Sequence, residues 1–155
     1  GCLYLTGHSV KQDFKKAKYR FELLVQKGHI KSQVKLGDMY SKGLGVEQNY
    51  AEAMKWFKLS AHRGSAEAQA KVAFMYGNAQ GVELDYQESL NWYLMAAKQD
   101  FPSALSNLGF MYDHGKGVPV DSQRAVSYYS RAANKGDENA KRNLELIEAR
   151  LAKHL

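Results

Sequence analysis

The sequence has few of the features that stabilise small secreted domains or place a chain in a membrane. Its 155 residues include one cysteine, Cys2, and two prolines, and 25% of the residues are charged. A single cysteine excludes an intrachain disulfide, and few prolines with moderate charge argue against long disordered linkers. No apolar run approaches the roughly 18 residues that a membrane-spanning helix needs.

Catalytic signatures are also missing. The five histidines form no His-Glu-x-x-His pattern, and no cysteine–histidine cluster has zinc spacing. The Gly-x-Gly segments at 43–45 and 115–117 follow predicted helices and lack the remainder of a phosphate-binding loop, and there is no Gly-x-Ser-x-Gly elbow. We therefore predict a protein that is not an enzyme and that uses no cofactor or metal.

What the sequence does contain is a repeat of 36 residues that needs no insertion or deletion. We call a set of positions that are 36 residues apart a frame. The clearest frames contain Tyr4, Tyr40, Tyr76 and Tyr112, then Val10, Val46, Val82 and Val118, and the aromatic pairs Trp56–Phe57, Trp92–Tyr93 and Tyr128–Tyr129. A fixed period between 20 and 50 residues indicates a repeat array. In such an array each repeat contacts only its neighbours, so the core is elongated.

Each repeat is predicted to form helix A, a glycine-containing loop and helix B. In the second copy helix A spans 30–42 and helix B spans 50–63, and adding 36 or 72 gives the later copies. The predicted N-caps of the B helices are Asp13, Asn49, Asp85 and Asp121. Glu52 and Glu88 stand where they would complete capping boxes.

Glycines mark the turns between repeats. Gly28, Gly64 and Gly136 stand where helix B ends, and the third copy has Asp100 there, followed by Pro102 as the first residue of the next helix. In the loop of the third copy Ala79 replaces a glycine, so we expect that loop to take a different path.

The core is predicted from the small and aromatic frames, and the repeat pattern stops after Leu144. Small residues at 53, 89, 125, 60, 96 and 132 allow close helix approach, and the aromatic frames fill the space between helices. Beyond Leu144, apolar residues recur at helical spacing among charges. This segment is predicted to be a capping helix with a polar outer face.

The motif Leu-Gly-x-x-Tyr-x-x-Gly-x-Gly-Val, followed by Asp or Asn and then by Ala-x-x-[Trp/Tyr]-[Phe/Tyr], resembles the Sel1-like repeat, a relative of the tetratricopeptide repeat; the best copy is 108–136. The resemblance implies an all-α fold, a right-handed α-solenoid of helix-turn-helix repeats. We interpret the chain as one domain with a partial repeat at 1–28, repeats at 29–64, 65–100 and 101–136, and a capping helix at 137–155. The single cysteine departs from the cysteine-rich members of the family.

The resemblance also implies a role: a non-enzymatic scaffold or adaptor, expected to be monomeric, that binds a partner protein or peptide on a concave face lined by the A helices. Bacterial relatives suggest an envelope or host-interaction factor, or an immunity or regulatory protein, in a periplasmic or secreted setting rather than a cytoplasmic one.

By the same resemblance, four sets of helix A positions form the concave face. They are the residue after the helix A glycine, the residues three and six before that glycine, the neighbours of these residues, and the ends of the A helices. In the first copy, the residue after the glycine is Cys2. The predicted partner-binding residues are Lys31, Val34, Lys35, Asp38, Lys42, Glu67, Ala70, Lys71, Phe74, Asn78, Ser103, Ser106, Asn107, Phe110, Asp113, His114 and Arg142. Phe74 and Phe110 either form an exposed binding patch or are buried by curvature of the superhelix.

Charge is uneven along the chain. Residues 1–64 hold twelve Lys and Arg against five Asp and Glu, whereas residues 65–136 hold six against seven. This asymmetry suits a protein partner with an acidic surface, or it reflects only lysines at solvent-facing helix positions that keep the repeat array soluble. Two alternatives stay open: binding of a cell-wall fragment or β-lactam, and binding of nucleic acid or an anionic membrane through the basic N-terminal half, of which nucleic acid is the less expected.

Overall fold

The structure is a computed structural model that describes residues 3–153, with side chains from residue 13 to residue 153. In this part of the chain it contains helices and no strands, which confirms the all-α prediction. The helices are α1 (Leu3–Gln26), α2 (Ile30–Lys42), α3 (Tyr50–His62), α4 (Ala66–Gly77), α5 (Tyr86–Ala97), α6 (Pro102–His114), α7 (Ser122–Asn134) and α8 (Glu138–Ala152).

The helices pack in chain order. Each one packs chiefly against the helix before it and the helix after it, so the buried residues form one elongated core from α2 to α8. Helices α2, α4 and α6 are the A helices of successive repeats, and α3, α5 and α7 are the B helices. The predicted capping segment forms α8; its last two residues, 154 and 155, lie outside the described part of the chain.

Helices A and B of one repeat approach closely because a helix A glycine receives an aromatic ring from helix B. A Cβ atom added at Gly109 would lie 2.5 Å from Cδ1 of Tyr129, and one added at Gly37 would lie 2.4 Å from Cε1 of Phe57. The third copy has Ala73 in this frame. The predicted small-residue frames are all buried, and so are Phe57, Tyr93 and Tyr129 of the aromatic frames. Tyr40, Tyr76 and Trp56 are half-buried.

The N-cap prediction is confirmed for three B helices. The side chains of Asn49, Asp85 and Asp121 each accept a hydrogen bond from the backbone N–H three residues later, at 2.9–3.0 Å. The backbone N–H of each cap residue donates to a helix A carbonyl, as from Asp85 to Tyr76 O at 3.0 Å. The capping boxes are therefore only half formed, and the second bond ties the start of helix B to helix A.

The prediction that Asp13 caps a helix is wrong, because α1 continues through it from Leu3 to Gln26. In the later copies the loop needs a left-handed residue, which is Gly45 in the second copy with φ of 72°. The first copy has Ser9 at that position, and a side chain makes the left-handed conformation unfavourable. The backbone therefore stays helical where the other repeats turn.

The turn glycines are confirmed, and the predicted different path of the third loop is confined to its start, where α4 ends one residue earlier and Asn78 has φ of −123°. Gly28, Gly64 and Gly136 have φ of 79–89°, and Asp100 takes the same conformation with φ of 55°. Ala79 has φ of 53°, close to the 66° of its counterpart Gly115. The hydrogen bond after it, from Gln80 N to Met75 O at 3.0 Å, also has counterparts in the second and fourth copies. The packing of the repeat imposes the loop path on alanine.

We predict that Ala79→Gly stabilises the protein by about 1 kcal/mol. The left-handed conformation costs an L-residue roughly 1–2 kcal/mol, and glycine removes this strain from the folded state. Glycine also raises the conformational entropy of the unfolded chain, which offsets part of the gain in stability. Urea unfolding measures the change. Gly115→Ala is the matched control and should be destabilising. A loss of stability in Ala79→Gly would contradict the shared loop path.

The second and third repeats both bury a glutamine in the same frame, but only in the third does the glutamine Oε1 accept a hydrogen bond. Gln69 is buried, donates to Ala61 O at 3.2 Å and accepts from Gln99 at 3.1 Å. Gln33 stands in the same frame with 2% of its surface exposed, and its Oε1 has no hydrogen-bond partner among the described residues. The fourth repeat has the fully buried Leu105 there, so the site accommodates an apolar side chain.

We predict that Gln33→Leu stabilises the protein by about 1 kcal/mol, because it removes an unsatisfied buried carbonyl. Gln69→Leu should instead destabilise by about 1–2 kcal/mol, since it leaves the amide of Gln99 and the carbonyl of Ala61 without that partner. Thermal and urea unfolding of both variants give the comparison. Equal changes of the same sign would show that the two glutamines have equivalent surroundings.

Candidate protein-binding groove

A cavity of about 470 Å³ opens between the second and third repeats. The A helices α2 and α4 form its sides, and Ser103 of α6 reaches one end. Aromatic side chains from outside the A helices also line it, namely Tyr50, Phe57, Tyr93 and Phe101. The cavity thus combines an aromatic lining with polar groups from the A helices, the usual composition of a recognition site.

The charges in the cavity balance. Two acidic residues, Asp38 and Glu67, and two lysines, Lys42 and Lys71, line it. Lys71 Nζ lies 2.8 Å from Asp38 Oδ1, which joins α4 to α2, and 4.0 Å from Glu67 Oε1. The same ammonium lies 5.5 Å from the ring centroid of Phe57. Asp38 and Lys71 therefore neutralise each other, whereas Lys42 on the rim is exposed.

Tyr93 adds a neutral phenol to the wall. It is buried, and burial raises its pKa well above the ordinary value of tyrosine. The phenol therefore stays protonated throughout the physiological range. It contributes hydrogen-bonding capacity and aromatic surface without charge.

Phe74 and Phe110 are both exposed, by 46% and 41%. Curvature of the array therefore does not bury them. Phe74 lines the cavity. Phe110 lies outside the cavity lining and stacks on His114, one turn further along α6, with ring centroids 4.2 Å apart.

Two asparagines beside these rings have fixed orientations. Asn78 Nδ2 donates to Phe74 O at 2.7 Å, and Asn107 Nδ2 donates to Ser103 O at 2.8 Å. Each side-chain amide therefore donates to a backbone carbonyl four residues earlier in the chain. Neither Oδ1 atom accepts a hydrogen bond from the described residues. Asn107 stands in the frame of Lys71, and Phe74 in the frame of Asp38.

The structure brings together part of the predicted set. Seven predicted residues line the cavity: Asp38, Lys42, Glu67, Ala70, Lys71, Phe74 and Ser103. The others lie outside the cavity, on the A helices, directly after α4 or on α8. Exposed among them are Lys31, Lys35, Asn78, Phe110, His114 and Arg142, and half-buried are Ser106 and Asn107.

Two predicted residues make contacts inside the fold and are not available to a partner. Val34 is 2% exposed and belongs to the core, because it lies on the side of α2 that faces the neighbouring helices. The Asp113 side chain is 10% exposed and pairs with Arg150 of α8. Cys2, the first position of the groove frame, lies outside the described residues.

Sequence reasoning missed two parts of the groove. Leu146 of α8 is 64% exposed and continues the frame of Phe74 and Phe110, so adding 36 to Phe110 would have found it. The cavity wall also contains two aromatic residues: Tyr50, the first residue of α3, and Phe101, the residue before α6. Only the packing of neighbouring repeats brings them to the cavity.

Among the side chains that the structure describes, those of residues 13–153, no three from His, Cys, Asp or Glu are grouped as metal ligands. None of the helices within residues 3–153 has the length and apolar character required to span a bilayer.

Together, the consecutive helix pairs and the groove along their A helices define an α-helical repeat protein. The family model for the Sel1 repeat matches residues 1–29, 30–65, 66–101 and 102–137. The chain belongs to the Sel1 repeat family. Sel1 repeat proteins generally mediate protein–protein interactions and are typically non-enzymatic scaffolds.

Solved structures are consistent with this assignment. The chain is similar to c5321, a protective antigen of uropathogenic Escherichia coli with an SLR fold, at 34% identity and a TM-score of 0.81 over 84% of this chain and 28% of that one. A Sel1 repeat protein from Oxalobacter formigenes gives 35% identity and a TM-score of 0.74 over 82% of this chain and 52% of that one.

A third similarity concerns the fold alone. Cysteine-rich protein B of Helicobacter pylori is 21% identical, with a TM-score of 0.66 over 84% of this chain and 94% of that one. The chain thus spans about a quarter and about half of the first two relatives. Among curated proteins no match was found.

Proposed function

We propose that this chain is a non-enzymatic scaffold that holds a segment of another protein in the groove along its A helices. The observation that carries the proposal is the open cavity of about 470 Å³ between the second and third repeats, with the exposed ring of Phe74 in its wall. An exposed aromatic side chain beside a preformed cavity is the kind of anchor on which binding energy concentrates.

The charge of the groove favours a partner with an acidic surface. Asp38 is neutralised by Lys71, whereas Lys31, Lys35 and Lys42 are exposed along α2. Acidic side chains flanking an apolar anchor would complement this end of the groove and speed association. Membership of a protein-interaction family supports the same function. The similarity to a protective antigen of uropathogenic Escherichia coli is compatible with a secreted or periplasmic setting, which remains part of the proposal.

We predict that Phe74→Asp lowers partner capture at least tenfold, because it places a charge where an apolar anchor binds. Immobilised native and variant chains are incubated with lysate of the source organism, and captured proteins are quantified by mass spectrometry. The captured protein is then purified and its affinity for each chain measured by calorimetry.

Leu84→Asp is the matched control: Leu84 is 53% exposed and lies outside the cavity lining. Capture should be unchanged in this variant. If the Phe74→Asp variant captures the partner as well as the native chain does, binding in the groove is contradicted. In that case charge reversal at Lys15, Lys16 and Arg20, with a steep dependence on salt, would point instead to the basic N-terminal half.

A further inference from the structure

The B helices carry a second exposed surface, on the side that faces away from helix A. The frames that begin at residues 15, 19, 23, 26 and 27 lie on one side of the helix or directly after it, because spacings of three and four residues return to the same face. All twenty positions of these five frames are exposed. Phe57 packs against Gly37 of helix A, and Leu59, two residues later, is turned by about 200° from it. We call these twenty positions the outer surface.

Neighbouring B helices lie side by side, so the outer surface continues from one repeat to the next. Arg63 Nη1, at the end of α3, donates to Gly28 O after α1 at 3.2 Å, and Gln99 Nε2, after α5, donates to Gly64 O at 3.0 Å. A cavity of about 320 Å³ between α1 and α3 is lined by residues of α1 and by Trp56. The same helix face is therefore repeated along one side of the array.

The outer surface is basic and contains no carboxylate. The chain has sixteen Asp and Glu residues, and none of them lies in the five frames. The same frames hold seven basic residues, namely Lys15, Lys27, Lys55, Arg63, Lys98, Arg131 and Lys135. The carboxylates within α1, α3, α5 and α7 all lie at other positions and are Asp13, Glu22, Glu52 and Glu88.

Three of the basic residues are partly neutralised by carboxylates beside the surface. Glu52 pairs with Lys55, and Asp100, in the turn after α5, pairs with Arg131 at 2.7 Å and with Lys135 at 3.7 Å. The remaining four make no ion pair with the side chains that the structure describes, and these are Lys15, Lys27, Arg63 and Lys98. These four cations are available to an external anion.

An apolar row crosses this basic surface. Leu23, Leu59 and Met95 occupy one frame, and 41%, 45% and 41% of their surfaces are exposed. Lys55 and Arg63 stand four residues before and after Leu59, on the same face of the helix. The outer surface therefore offers apolar contacts and cations at neighbouring points.

An anionic lipid bilayer complements both features. Its charged headgroups attract Lys and Arg, and aliphatic side chains that enter the acyl boundary add the free energy of apolar burial. Tyr19, which is 63% exposed one turn before Leu23, is of the residue type that favours this interface. Nucleic acid would engage the cations, but single strands are held by stacking on aromatic rings, and a row of aliphatic side chains does not supply that contact.

From these observations we infer that the outer surface binds anionic lipid bilayers. Leu23, Leu59 and Met95 enter the boundary between headgroups and acyl chains, and the flanking Lys and Arg side chains contact the lipid phosphates. This inference goes beyond the proposed function and does not depend on it. Because the outer surface faces away from helix A, the groove stays open to a protein partner while the B helices contact the membrane.

Co-sedimentation with vesicles tests the charge part of the inference. Vesicles of phosphatidylcholine alone are compared with vesicles that contain about one-third phosphatidylglycerol, and the native chain should bind the anionic vesicles at least about tenfold more tightly. Lys27→Gln combined with Lys98→Gln should weaken this binding about 20-fold, since each basic residue near an anionic surface contributes about fivefold.

The matched control removes the same charge from the groove side. Lys31→Gln combined with Lys35→Gln, at exposed positions of α2, should bind anionic vesicles nearly as well as the native chain. Equal losses in the two double variants would overturn the assignment to the outer surface. Equal binding to both kinds of vesicle, or binding to neither, would overturn the inference itself.

The apolar row separates a membrane from other anionic partners. Leu59→Ser combined with Met95→Ser should weaken vesicle binding about tenfold, whereas Leu84→Ser, at a residue that is 53% exposed outside the five frames, should not. Vesicle binding unchanged in the Leu59 and Met95 variant, with duplex DNA bound by the native chain and lost by the lysine variant, would overturn the membrane in favour of nucleic acid.

The same assay keeps this inference separate from the groove. Phe74→Asp should leave vesicle binding unchanged, because Phe74 lies on helix A. Circular dichroism establishes that each variant is folded. Loss of vesicle binding in a folded Phe74→Asp variant would overturn the outer surface as the membrane site, whereas the proposed function is decided by partner capture alone.

Discussion

The structure depends on the contact between a helix A residue without a bulky side chain and a helix B ring. At Gly109 and Gly37 there is no room for even a methyl group against Tyr129 and Phe57. This contact fixes the distance and rotation of the two helices in a repeat. The next residue along helix A is turned by about 100°, away from helix B. Phe74, Phe110 and Leu146 occupy that position, so the packing that closes the core also sets the groove.

Bonds between repeats keep this geometry constant along the array. Gln99 donates to Gly64 O at 3.0 Å, and Arg63 donates to Gly28 O at 3.2 Å in the preceding repeat. Arg131 reaches back to Asp100 at 2.7 Å. Because the repeats contact mainly their neighbours, these local ties determine the spacing of the A helices. A segment bound across several repeats depends on that spacing.

The helices could be predicted from the sequence because the 36-residue frame repeats caps, glycines and aromatic residues together. The failures occurred where one copy departs from the frame. Asp13 caps no helix, since Ser9 replaces the glycine that would let the chain turn. Ala79 follows the glycine path, because the surrounding repeat imposes it.

The groove was only partly predictable. A frame indicates which side of a helix a residue faces, and it placed Phe74 and Lys71 correctly at the cavity. It does not reveal that Val34 is covered by the neighbouring helices or that Asp113 pairs with Arg150, since both depend on contacts across helices. Leu146 shows the reverse case, because the frame contained it although the motif had already ended.

The most direct test of the central claim is photo-crosslinking of the natural partner. A benzophenone amino acid is placed at Ser103, on the wall of the cavity, and in a second chain at Asn91, an exposed position of α5 outside the cavity lining. Binding in the groove predicts a covalent adduct from Ser103 and none from Asn91. An adduct from Asn91, with none from Ser103, would contradict the account and place the partner on the B helices.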